Sequence, residues 1–410
     1  METYTGVREA LSKVLAEVKP LRHSERVPTT SALGRVIVDG ITSDSDSPSF
    51  ALSHMDGFAV IASDLQQARR AEVKLKLIGE SRPESSSPLT IGHGEAVKVS
   101  TGSRIPYGAD AVIPEEDSKE ETGKIMVTSA VRPGDFVYAV GADFRKGDLL
   151  LRKNQKIRAQ DVGLLLTLGF EMVDVLEVPT VAVLATGSEL FDVGRISPGK
   201  VRNTHGPLIA NMLRAAGCVA RDVGASPDNK RVLSERIRSA LAKSDLVLTL
   251  GGTSVGRRDL VTDVVRSFRP ELLYHGLRMD RGRVAGVALV RRKPLLMLPG
   301  PIQGAMNAFF LLGVPILEKL RGGGSSTVRV GAKLTASWKA RRRFQNFTKV
   351  VYVRLVEENA ELKAEPLLAE TESITILTKA TGYVVVPEHI TQLSRGSQVE
   401  VNLVPGFSYA

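Results

Sequence analysis

The first apolar pattern in the chain has helical spacing. In METYTGVREALSKVLAEV, Val7, Leu11, Val14, Leu15 and Val18 fall along one face with charges between them, which predicts an amphipathic helix. VPTTSALGRVIVDGI then predicts a turn and a strand. From 41 to 140 the apolar runs are short (AVKVS, ADAVIP, KIMVT) and broken by Pro, Gly and Ser, so this stretch reads as a β-rich module with a polar loop at SRPESSSP. GADFRKGD supplies turns, and AQDVGLLLTLG a helix that could return to the first one.

At 179 the pattern changes. VAVLAT (181–186), DLVLTL (245–250) and KPLLMLPG (293–300) are continuous apolar runs, as expected of strands buried on both faces. Between them, GPLIANMLRAAG and DNKRVLSERIRSALAKS have helical periodicity, a further helical stretch runs through 266, and another follows to about 320. Alternating strands and helices predict a parallel, three-layer α/β domain. Gly322–Ser326 reads as a flexible joint. VRVGAKL, VVYVRLV, ITILTKA, GYVVVPE and SQVEVNLV follow as short strands of a small β domain. The expected fold class is therefore multidomain α/β plus β. Its parts are 1–40 with 141–178 (helical), 41–140 (inserted, β-rich), 179–321 (α/β) and 327–410 (C-terminal, β-barrel-like).

Composition narrows the function classes. Hydrophobic residues at 43% and charged residues at 24% exclude a disordered chain. No apolar run reaches the roughly 20 residues of a membrane span, and the first segment lacks a signal peptide's apolar stretch, so a cytoplasmic location is expected. Cys218, the single cysteine, reads as a small buried hydrophobe. The net charge of +10 favours anionic partners. Aromatic residues are only 5%, and no zinc-finger, RNP-like or helix-turn-helix pattern is present, which argues against nucleic acid.

In an open parallel sheet, ligands sit beyond the carboxyl ends of the strands. Three endings stand out: Thr186-Gly187-Ser188-Glu189, Gly251-Gly252-Thr253-Ser254-Val255-Gly256-Arg257-Arg258-Asp259, and Pro299-Gly300-Pro301. Glycines in the middle loop allow close backbone approach, and a helix beginning near Asp259 would aim free N–H groups at an oxyanion. Such a turn is by itself more often structural; three of them at one sheet edge favour a site. No Walker lysine pattern or GxGxxG fingerprint occurs, so neither a P-loop nor a dinucleotide fold is supported. Glu189 and Asp228 read first as helix-capping acids, and as Mg²⁺ ligands second. The spacing at Asp56 and at Thr101 leaves turn and site equally open. His54, His205 and His275 lack metal-ligand spacing and read as surface or packing residues.

Seven segments, in order, then resemble the MoeA family of molybdopterin molybdenumtransferases and the matching C-terminal half of gephyrin. They are SHMDGFAV, TGSRIPYGADAV, GADFRKGDLLL, PTVAVLATGSEL, VRNTHGPLIANML, GGTSVGRRD and LPGPIQGA. The resemblance implies a homodimer whose active site lies between the α/β domain of one subunit and the inserted domain of the other. It implies Mg²⁺-dependent insertion of molybdate (or tungstate) into adenylated molybdopterin, with AMP released. Asp56, Thr101, Glu189, Asp228 and Asp259 fall on the family's catalytic positions, with Glu189 and Asp228 as metal ligands. Gly187, Ser188, Gly251, Gly252, Thr253, Ser254, Gly256, Pro299 and Gly300 fall on its pterin- and phosphate-holding loops. The implied partners are a molybdopterin adenylyltransferase as donor and apo-molybdoenzymes or apo-tungstoenzymes as acceptors, without nucleic acid or membrane.

The chain departs from the family at Ala51-Leu52, at Arg257 and Arg258, at Pro301-Ile302, and at Asp280-Arg281-Gly282-Arg283-Val284, where a lysine-bearing KPGKP stretch is usual. These changes admit a second reading, a non-catalytic molybdopterin-binding or scaffold paralogue. A third, a nucleotide pyrophosphatase sharing the α/β domain, fits the terminal domains poorly.

Overall fold

The computed structural model describes residues 4–68, 70–84, 89–192, 194, 198–253, 259–322, 327–368 and 370–404. The chain forms two compact units, 39–153 and the remainder (1–38 with 154–410). Ser254, Gly256, Arg257 and Arg258, the joint residues from Gly323 to Ser326, and Ser85–Pro88 of the polar loop lie outside the described residues.

The larger unit is built on a six-stranded sheet, ordered Val219–Ser226, Thr180–Thr186, Leu246–Leu250, Lys293–Leu298, Gly286–Val290, Leu272–His275. Why it needs two covering layers is visible in one strand. Val181, Val183 and Ala185 enter a core shared with Val7, Val14, Ile209, Leu213 and Leu317, whereas Ala182 and Leu184 enter another with Leu233, Ile237, Val261 and Val264. Alternate side chains point to opposite faces, so a strand apolar at every position must be covered on both. Each fully buried Val or Leu contributes about 1.5–3 kcal/mol.

The first four strands are parallel, but Gly286–Val290 runs antiparallel to Lys293–Leu298 and to Leu272–His275. This corrects the expectation of a parallel sheet. Gly286–Val290 and Lys293–Leu298 are joined by Arg291 and Arg292 at φ +52° and +63°, a tight two-residue hairpin that needs no crossover helix. Two arginines are an unusual occupant of left-handed backbone, which hid the turn from a reading based on Asn and Gly.

Two more expectations change, and the expected C-terminal barrel is found. The helix Val7–Glu17 packs into the α/β core, whereas the helix Ala159–Thr167 packs against the turn Thr29–Ser31. ITILTKA is not a strand. Its Thr375–Lys379 portion makes one helical turn that buries Ile376 beside Phe310 and Tyr383, tertiary packing overriding a β-branched composition. The C-terminal barrel is closed by five strands, Arg329–Leu334, Glu361–Pro366, Lys349–Glu358, Gly382–Val386 and Gln398–Leu403.

Lys349 begins one of these strands and is fully buried. Its ammonium donates to the carbonyls of Gln345 (2.6 Å), Ile390 (2.7 Å), Glu388 (3.1 Å) and Pro387 (3.2 Å). K349M would remove the donor from all four carbonyls, of which Pro387's keeps the Ile390 N–H at 3.1 Å. A loss of about 3–5 kcal/mol is expected in denaturant unfolding, and an unchanged midpoint would contradict it.

In the smaller unit a second six-stranded sheet is ordered Ala111–Pro114, Gly57–Val60, Glu95–Val99, Val73–Ser81, Lys124–Val127, Ser118–Glu121. Gly57 pairs with both Val99 and Pro114. The strands Leu52–Ser53 and Gly57–Val60 pair with other segments and not with each other, so Asp56-Gly57 is not a hairpin turn.

Candidate active site at the strand-end loops

The parallel strands deliver their carboxyl ends to one place, and contacts there are close. Gly187 N–H donates to the Ser226 carbonyl at 3.0 Å, and Gly251 N–H to the Leu298 carbonyl at 3.0 Å. Gly251 and Gly252 have φ of +83° and +66°. A Cβ on Gly251 would lie 2.7 Å from the Thr186 carbonyl, and one on Gly300 would lie 3.9 Å from the Gly251 Cα. Glycine is therefore required at 251 for both backbone conformation and clearance. The three loops around Gly187, Gly251 and Gly300 converge as their sequences predict. Pro299 supports the third of them, packed against Gly304 of the next helix.

Two acids stand at this edge, and neither caps a helix. Asn229, the next residue after Asp228, caps Lys230–Lys243 by accepting from Arg231 N and Val232 N, both at 3.1 Å. Relieved of that task, Asp228 accepts from Ser188 N–H at 3.0 Å, and its own N–H donates to Ser188 Oγ at 2.8 Å. Glu189 leads into the short strand Leu190–Phe191, not into a helix. Its carboxylate folds over Gly187, where a Cβ would come within 2.5 Å of Oε1. Ser188 thus links the loop carrying Glu189 to the loop carrying Asp228. The capping reading of both acids is overturned.

Asp259, by contrast, does cap a helix. Its Oδ1 accepts from Thr262 N at 2.9 Å, starting Leu260–Ser267. Its Oδ2 lies 3.0 Å from His275 Nε2, with both side chains largely buried. Burial opposes its ionisation most strongly, but His275 and Thr262 together hold the carboxyl below its usual range. A carboxylate with a depressed folded-state pKa contributes stability above its unfolded pKa, and loses it as pH falls through the folded value. The stability gap between wild type and D259N, which keeps a capping side chain, should be complete at pH 7. It should close as the pH falls below 3.8, the ordinary Asp value. A gap independent of pH in thermal melts would refute this.

Two histidines read as packing residues belong to this site. His275 contacts Asp259, and His205 donates to the Gly300 carbonyl while burial pushes its imidazole pKa down. His205 begins the helix His205–Ala215, so it ties that helix to the third loop. The available signal was positional, since each histidine ends or starts an element at the same sheet edge. Thr186 Oγ1 and Thr253 Oγ1 are buried there with no partner among the described residues. Leaving such a group dry costs about 1–3 kcal/mol, which a ligand accepting these hydroxyl protons would remove.

Asp280 sits in the turn that replaces the family's lysine stretch. It is buried and ion-paired to Arg341 at the edge of the barrel. Arg281 bonds to Gln303, Gln303 bonds on to the Glu370 carbonyl, and Asn307 donates to the carbonyls of both Asp280 and Arg281 at 3.2 Å. The reversed charge is therefore neutralised locally. In the smaller unit, Asp56 Oδ1 accepts from Thr101 N at 2.7 Å and Thr101 Oγ1 at 3.1 Å, bonds that hold this exposed carboxyl below its usual pKa. A cavity of about 420 Å³ on the barrel, lined by Val384, Val386, Ile390, Leu393 and Glu400 among others, has no cationic side chain to receive an anion. Among the described residues no group of three or more His, Cys, Asp or Glu side chains could hold a metal, and no helix is long and apolar enough to cross a membrane.

Three family models match in order: the MoeA N-terminal region (domain I and II) over 5–169, a probable molybdopterin binding domain over 182–319, and the MoeA C-terminal region (domain IV) over 331–404. The molybdopterin molybdenumtransferase of Staphylococcus epidermidis is 30% identical over 322 residues, 78% of this chain and 77% of that protein. A putative molybdopterin biosynthesis protein of Methanocaldococcus jannaschii is 27% identical across 97% of this chain and 96% of its own. The crystal structure of the MoeA protein of Pyrococcus horikoshii superposes with a TM-score of 0.83 at 28% identity, covering 98% of this chain and 100% of that one. With the glycine loops and acids in place at the strand ends, these matches show that the chain belongs to the MoeA family, the molybdopterin molybdenumtransferases of molybdenum-cofactor biosynthesis.

Proposed function

We propose that the chain inserts molybdate or tungstate into adenylated molybdopterin, with Mg²⁺ dependence and release of AMP. The observation that carries this reading is the pairing of Glu189 and Asp228 through Ser188 beside glycine turns that flank buried, unpartnered hydroxyls. Neither oxygen of Glu189 has a partner among the described residues, and Asp228 commits one oxygen to Ser188. Hard carboxylate oxygens in small number suit Mg²⁺, which keeps several of its waters, so the residues fit the ion. Glu189 and Asp228 would hold it, and it would supply positive charge beside the substrate's phosphates.

The chain's own contribution is positioning and electrostatics. The close-approaching backbone of the Gly251–Gly252 turn and the positive dipole end of Leu260–Ser267 face the anion, while Gly251 N–H stays with the Leu298 carbonyl and Val261 N–H with the Gly252 carbonyl. Thr186 and Thr253 donate to it, and His205 keeps the Gly300 loop in register. Asp56 and Thr101 contribute as a preformed carboxylate and hydroxyl pair. The enzyme acts as a cytoplasmic homodimer. It takes substrate from a molybdopterin adenylyltransferase and supplies apo-molybdoenzymes or apo-tungstoenzymes.

The test incubates purified protein with adenylated molybdopterin, Mg²⁺ and either oxyanion, following AMP and cofactor. AMP release dependent on Mg²⁺ and oxyanion supports the reading. Binding without turnover would instead favour the non-catalytic paralogue, for which the altered turn around Asp280 is the motivating observation.

A further inference from the structure

Asp259 Oδ2 and His275 Nε2 are both buried, and among the described residues neither has a hydrogen-bond partner outside their mutual contact. They lie 3.0 Å apart. The surroundings are shaped for this contact. His275 ends the edge strand Leu272–His275 opposite Gly286, and a Cβ on Gly286 would come within 3.3 Å of the imidazole Cδ2 and 2.8 Å of the Tyr274 carbonyl. The turn after His275 is pinned from the chain's start, with Thr5 N donating to the Gly276 carbonyl at 3.0 Å and Arg278 N to the Thr5 carbonyl at 2.8 Å. Strand end and helix start are each fixed independently, and the imidazole spans them.

We propose that His275 is a positioning residue for Asp259. Its Nε2–H holds the second carboxylate oxygen while the helix takes the first. With both oxygens engaged, Asp259 stays ionised in one orientation and cannot swing out to take a proton from substrate. Its work is to fix the amino end of Leu260–Ser267, and with it the Gly251–Gly252 turn, to which Val261 N donates at 3.3 Å through the Gly252 carbonyl. This inference rests on the reading that the glycine turn receives the substrate's anionic groups.

Two substitutions and one spectrum test it. H275L keeps the volume and removes the donor, and H275Q keeps an N–H donor that reaches as far as Nε2. In H275L, kcat for AMP release should fall about tenfold to hundredfold with KM nearly unchanged. H275Q should recover most of that loss. Equal impairment in both, or full activity in H275L, overturns the proposal. Nitrogen-15 NMR of the wild-type protein should show neutral His275 as the Nε2–H tautomer, a preference lost in D259N. Its absence overturns the proposal whatever the assay gives. If wild-type protein releases no AMP, the functional reading fails, while the spectrum still decides the pairing.

Discussion

Replacing Glu189 by alanine is expected to lower the rate of AMP release from adenylated molybdopterin by roughly a hundredfold to a thousandfold, the scale of losing one preorganised charge-stabilising group. Binding of molybdopterin itself should stay within a few-fold, because the glycine turns and buried hydroxyls do not depend on this side chain. D228A should match E189A in rate and add a second effect. Asp228 also accepts the Ser188 N–H, so its loss frees the loop that presents Glu189. D228N can still accept that N–H through its amide oxygen, which separates the two roles. If metal binding is the larger role, D228N stays as slow as D228A; if loop positioning is, D228N recovers. Full activity in both alanine variants would sink the assignment of these acids, and the separation of binding from turnover is read from fluorescence titration beside the AMP assay.

The second large effect concerns stability. Gly57 lies between two partner strands, and a Cβ there would fall 1.9 Å from the Ile113 carbonyl oxygen and 2.9 Å from its carbon. No side-chain rearrangement relieves a clash with backbone in the middle of a sheet. G57A should therefore destabilise the unit 39–153 by at least about 3 kcal/mol, in the range of severe overpacking. Limited proteolysis should cut G57A first between 39 and 153, at protease concentrations that leave wild type intact. A wild-type digestion pattern and denaturation midpoint would show that the sheet can shift to admit a methyl group.

Much of this was legible from apolar spacing. The strands at 181, 246 and 293 show as unbroken runs because both of their faces are covered, and their endings pointed to the loops that meet at Gly187, Gly251 and Gly300. Other features were hidden for identifiable reasons. The hairpin of Gly286–Val290 with Lys293–Leu298 turns on Arg291-Arg292, residues that carry no turn signature. Asp228 and Asn229 are adjacent and both cap helices well, so only geometry shows that the asparagine takes the cap and the acid is left for Ser188. The Asp259–His275 contact joins a helix start to the end of an edge strand, and single-residue spacing cannot register such a meeting. ITILTKA misled because its β-branched residues answer to a neighbouring core and not to a ladder.

The ion pair between Asp280 and Arg341 has a consequence for exchange of parts among relatives. A chimaera that keeps this α/β domain but takes its barrel from a lysine-bearing relative would leave the Asp280 carboxylate without its Arg341 partner. The reverse graft would bring an arginine to meet a lysine. The turn at 280 and the barrel edge at 341 are thus expected to be transplantable only together, as one paired unit divided between two domains.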